Sequence, residues 1–141
     1  MSYDKPNRVK YSFGNFDFGA GADEQFNIIG PKGKKGRLFD YGVEGTIEVM
    51  NGSSTTPKVS VGNGSSAVAY GSNLDINALA DNTAKSVRST VREAVDGAFT
   101  AYMTAASRTI PADTQIRVNC IGAAGSPTGQ ATPFMIIDWD D

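Results

Sequence analysis

The sequence predicts an all-β protein, and three observations point there. Sixteen of the 141 residues are glycine and only 20% are charged, while Ser, Thr, Asn and Val are plentiful, which is the mixture of short strands joined by tight turns. Several segments alternate apolar and polar residues with the strand period of two. Turn dipeptides such as Asn51-Gly52 punctuate those segments. A chain of this length makes one domain with a core that needs no disulfide or metal staple.

Residues 1–23 read as an extended N-terminal arm, with the sandwich domain at 24–141. Phe13, Phe16 and Phe18 stand among Gly14, Asn15, Asp17, Gly19 and Gly21, a composition too flexible for a helix. These aromatics either fold back onto the domain or dock on a partner. Glu24 to Ile29 alternates, with Phe26 and Ile28 on one face and Gln25 and Asn27 on the other, and it stops at Gly30-Pro31. Next, Phe39, Tyr41, Val43, Gly45, Ile47 and Val49 share one parity, and Asp40, Glu44, Thr46 and Glu48 take the other. That pattern predicts one long strand with a buried and a wet face. At ~3.3 Å per residue it would span about 40 Å and need a bend or bulge at Gly42 or Gly45.

Asn51-Gly52 and the run Pro57 to Val61 predict a hairpin over 46–61, with Val59 and Val61 inward. Ala67 to Tyr70 and Leu74 to Ile76 are short strand candidates. From Lys85 to Met103, apolar residues fall every four positions at Val87, Val91, Val95, Phe99 and Met103, which fits one helix or two strands around Asp96-Gly97. The domain therefore has at most one helix. Gln115 to Cys120 alternates cleanly, which makes Cys120 a small core residue. Phe134 to Trp139 is a continuous apolar run of the kind buried between two layers.

Chemistry is thinned out by the composition. There is no histidine and a single cysteine, so no Ser-His-Asp or Cys-His arrangement, no zinc-finger cluster and no disulfide within the chain can be assembled. Gly30-Pro31-Lys32-Gly33-Lys34-Lys35-Gly36 has neither the spacing nor the following helix of a phosphate loop, and Gly19-Ala20-Gly21 lacks the strand and third glycine of a dinucleotide fingerprint. Asp138, Asp140 and Asp141 lack the glycine and ligand spacing of a calcium loop. No enzyme activity and no cofactor or metal is expected. A net charge of -2 argues against nucleic acid as partner, and no apolar run reaches the ~20 residues that span a bilayer. The start lacks the apolar core of a signal peptide, so the expectation is a soluble protein made in a cytoplasm, with no membrane partner. Lys32, Lys34 and Lys35 form either a solvated turn or a cationic contact for an acidic partner surface.

Three blocks together resemble the jelly-roll decoration (cement) proteins that coat the heads of tailed bacteriophages. They are Ile29 to Arg37 with the strand after it; Thr56 to Gly62 with Ala69-Tyr70 downstream; and Ile110 to Thr114 with Ile136 to Trp139, bridged by Gly125 to Gly129. These blocks cover about half of the chain. Two stretches depart from the pattern, the aromatic arm before residue 24 and the longer segment from about 83 to 108. The resemblance implies a jelly-roll antiparallel β-sandwich on the outer surface of a virion, assembled in the host cytoplasm. Its partner would be the phage major capsid protein, it would act as a homotrimer, and its role would be capsid stabilisation. Phe13, Phe16, Phe18, Lys32, Lys34 and Lys35 would be the capsid-binding residues. The alternative is a carbohydrate-binding β-sandwich module of a phage head or tail fibre, since jelly rolls also bind sugars.

Overall fold

The computed structural model describes residues 7–91, 97–104 and 106–140. Its strands are β1 (Arg8–Ser12), β2 (Phe16–Asp17), β3 (Glu24–Ile29), β4 (Gly36–Glu44), β5 (Lys58–Gly62), β6 (Gly71–Asp75), β7 (Lys85–Ser86), β8 (Thr109–Ile110), β9 (Gln115–Ile121) and β10 (Gln130–Trp139). One antiparallel sheet has the order β1-β10-β4-β7, with β2 beside β10 and β8 beside β4; the other has the order β3-β9-β5-β6. Leaving aside the two-residue β2 and β8, the chain changes sheet after every strand except between β5 and β6. That winding is the double Greek key of a jelly roll, and the all-β sandwich read from composition and alternation is the observed architecture.

The core lies between the sheets. Leu38, Tyr41, Val43, Met135 and Ile137 from one sheet meet Val59, Val61, Leu74, Ile116 and Val118 from the other, all fully buried. Tyr41 reaches across the layer, and its hydroxyl donates to the Ser72 carbonyl in the opposite sheet. Gly71 makes room for the ring, since a Cβ there would lie 2.4 Å from Tyr41 Cε1. Cys120 packs in this core at 1% exposure, as the alternation of β9 predicts. Burial pushes its thiol well above the ordinary value, with Glu24 and Asp23 adding to the effect.

Residues 8–20 are part of the sandwich, so its boundary does not fall at residue 24. β1 pairs with β10 from Arg8↔Asp138 to Ser12↔Phe134, and β2 pairs with the start of β10. The glycine-rich composition hid two strands because their partner lies over a hundred residues away. Residues 1–6 lie outside the described part.

The long strand ends early. β4 stops at Glu44, and Gly45 takes a left-handed φ of +60°, which breaks the pleat and the parity with it. Thr46 and Met50 therefore turn inward, whereas Ile47 and Val49 are 56% and 50% exposed. The bend expected at Gly42 or Gly45 is thus at Gly45, and a separate bulge lies at Phe39, where the register with β10 skips one residue. This bulge puts Phe39 outside and Leu38 inside. Asp40, expected to be wet, is buried, and its Oδ1 accepts the backbone N–H groups of Tyr41 and Arg88.

The hairpin over 46–61 does not form, because β5 pairs with β6 and β9 in the other sheet. Ala67 to Tyr70 is a turn laid over the outer face of that sheet, with the Ala67 carbonyl accepting from Ser60 Oγ and Asn119 Nδ2. Among the described residues between 85 and 103, neither a long helix nor a pair of strands is found. β7 leads into a single turn, α1 (Val87–Thr90), whose N-terminus is capped reciprocally by Ser86 and Ser89, and a 3₁₀ turn follows at Gly97–Ala101. Val87, Val91, Phe99 and Met103 are all buried, so the four-residue spacing records the inward contacts of an irregular cover. Val95 and Asp96 lie outside the described residues.

Candidate partner-binding site

The turn between β3 and β4 is held from several directions. Lys34 N–H donates to the Pro31 carbonyl at 3.1 Å, Asp140 N–H to the Lys35 carbonyl at 2.9 Å, and Gly33 N–H to Asp113 Oδ1 at 2.9 Å. Gly33 sits at φ +74° with nothing within 4 Å of where a Cβ would stand, so it serves the backbone turn alone. Beneath the turn lies the indole of Trp139. A Cβ on Gly30 would come 2.0 Å from Trp139 Cη2, and one on Gly36 would come 2.7 Å from Cζ3. The two glycines are therefore the places where the backbone passes against the ring. Trp139 Nε1 in turn donates to Tyr11 Oη at 2.9 Å, which ties the turn to β1.

On this mount stand the three lysines singled out in the sequence. Lys32 and Lys35 are exposed and Lys34 is half-buried. Among the described residues no ion pair involves any of them. The cations on the outer face of β1 differ. Arg8 Nε is 2.6 Å from Asp138 Oδ1 and Lys10 Nζ is 2.7 Å from Glu44 Oε2. The turn thus presents concentrated positive charge from a fixed backbone, while the sheet neutralises its own.

Phe13, Phe16 and Phe18 come together elsewhere, where the chain crosses from β1 to β3. Phe13 stacks on Phe26 with ring centroids 5.4 Å apart, and Phe16 meets Phe18 and Phe26 edge-on at 4.7 and 6.1 Å. Phe18 is fully buried, and Phe13 and Phe16 are half-buried against the core. These rings close one side of the sandwich, which is the folded-back alternative of the two the sequence allows. Phe18 thus belongs to the core, and Phe13 and Phe16 keep part of their surface exposed while packing against it.

A second arrangement was not legible in the sequence. The Phe39 ring lies between two guanidiniums, with Arg8 Cζ 3.5 Å and Arg88 Cζ 3.7 Å from its centroid. Arg88 Nε also donates to the Phe39 carbonyl at 2.6 Å. Phe99 continues the stack, with Arg88 and Arg108 within 5.3 and 5.6 Å. Arg88 and Arg108 pin the described parts of the cover, 87–91, 97–104 and 106–108, to β4 at Phe39 and Leu38. Only the bulge at Phe39 brings that ring outside.

Among the described residues no group of three or more acidic or cysteine side chains gathers in metal-binding geometry, and no helix is long and apolar enough to cross a membrane. No family model, no curated protein and no solved structure matches the chain.

Proposed function

We propose that this protein is a structural virion component that binds the outside of a tailed-phage head and stabilises the lattice of its major capsid protein. The observation that carries the reading is the rigidly mounted basic turn, with Lys32, Lys34 and Lys35 free of ion pairs among the described residues. A preorganised cationic loop on a jelly roll fits an acidic partner surface, where charge sets orientation and association rate. Each contact need contribute only a few kcal/mol, because copies repeated over a shell act together through raised effective concentration. The sequence blocks that resemble decoration proteins support it too, since they fall on the β3–β4 turn, on β5 and on the ends of β8 and β10.

The test is co-sedimentation of the purified protein with expanded, undecorated phage heads. Saturable binding at a stoichiometry set by the lattice, weakening as salt rises, is the expected result. Absence of binding at low salt overturns the reading. The carbohydrate alternative has less to stand on, because Trp139, Tyr41 and Tyr70 are buried and the indole is spent on the turn. Binding on a glycan array, with none to heads, would reverse the preference.

A further inference from the structure

Among the described residues, the sandwich ends on one side in two open strand edges, β1 of one sheet and β3 of the other. The remaining edges are covered. On β6, Ser72 N–H donates to the Tyr102 carbonyl and Lys85 Nζ to the Asp75 carbonyl, and β7 and β8 are two residues each. β3 is six residues long, pairs with β9 from Glu24↔Cys120 to Ile29↔Gln115 without a bulge, and contains no Pro or Lys. It carries Ile29, the most exposed large apolar residue among those described, at 65%. Edges of this kind accept a further strand unless something blunts them.

We infer that β3 pairs antiparallel with β3 of a second copy about a two-fold axis at Asn27. This inference shares the basic turn with the proposed capsid contact but is tested on the isolated protein, so its failure is distinguishable from a failure to bind heads. Its first ground is charge. β3 begins at Glu24, directly after Asp23, and runs into the turn that holds Lys32, Lys34 and Lys35, so reversing one copy sets Glu24 and Asp23 opposite Gly30 and Pro31 of the other, next to its Lys32. The second ground is the facing pairs. Asn27 meets Asn27, and Phe26 meets Ile28 on the inner face, extending the half-buried apolar rows of both copies into one. The same operation on β1 would set Lys10 against Lys10, a repulsive pair. Of these two edges in their central registers, β3 is the one compatible with its own copy, and the product is a continuous eight-stranded sheet.

A six-residue edge falls at the small end of interfaces, below the ~1,200 Å² typical of stable complexes, so weak association is expected and protein up to about 1 mM is needed. Sedimentation equilibrium of the full chain should give a mass rising from the 14.8 kDa chain mass toward twice that value, with a midpoint that moves to higher concentration in salt. Asn27→Lys, at an exposed position, should hold the protein monomeric with its circular dichroism unchanged. Asn27→Cys should form a disulfide or short bis-maleimide dimer, since facing Cα atoms in an antiparallel pair lie ~4.5–5.5 Å apart. Asn73→Cys on β6 should not. A monomer at every concentration, a threefold mass, a dimer surviving Asn27→Lys, or equal cross-linking at residue 73 would each overturn the inference.

Discussion

Trp139 and the two glycines against it show how single residues set the candidate site. Gly30→Ala places a methyl carbon 2.0 Å from the indole, so ring or turn must move, and a loss of about 1–3 kcal/mol is expected in denaturant titration. Gly33→Ala meets no neighbour and should cost only the ~1 kcal/mol of a left-handed alanine. Equal losses at the two positions would refute the packing argument. Tyr41 and Cys120 carry a pH dependence. Burial raises both groups above their ordinary values of 10.0 and 9.0, with neighbouring Tyr102 and Asp40, and Glu24 and Asp23, adding smaller pushes. The unfolded chain then releases these protons first as pH rises, so stability is full below about pH 9 and falls above it, by up to ~1.4 kcal/mol per pH unit for each group. Cys120→Ala and Tyr41→Phe should each flatten the fall seen in urea midpoints between pH 8 and 11. The burial of Cys120 was legible in the alternation of β9. The glycine–indole contacts were not, because Gly30 and Gly36 look like turn residues until the last strand is placed beneath them.

At the scale of elements, legibility followed locality. β3, β9 and β10 were readable because their alternation or apolar length survives in the fold. Residues 8–20 and 85–103 were not, since their structure depends on distant partners: β10 for the first, and the outer face of β4 for the second. The expected hairpin over 46–61 failed because Gly45 redirects the chain before Asn51-Gly52 can turn it. Deleting residues 2–22 removes β1, β2 and the fully buried Phe18, so the truncated protein should lose cooperative unfolding. Phe18→Ala alone should cost about 3–5 kcal/mol. A truncated chain with an unchanged melting transition would return these residues to the status of a separate arm. The arginine stack gives a second test. Phe39→Ala should raise proteolytic cleavage within 87–108 several-fold while leaving cleavage elsewhere unchanged.

For the whole molecule, the jelly roll is a stiff support whose own charges are largely matched on the β1 face and unmatched at the β3–β4 turn. That asymmetry makes the turn the working surface in the proposed capsid contact, and the open β3 edge beside it the surface for a second copy. Neither role could be read from the basic turn alone, because a solvated loop and a mounted one have the same sequence. The most direct test is the binding of a Lys32→Glu/Lys34→Glu/Lys35→Glu variant to undecorated heads, beside the wild-type protein, with both melting curves recorded. The expected result is an unchanged melting temperature to within a few degrees and at least a tenfold weaker, salt-insensitive interaction with the head. Wild-type affinity in the charge-reversed protein would contradict the assignment of this turn as the contact.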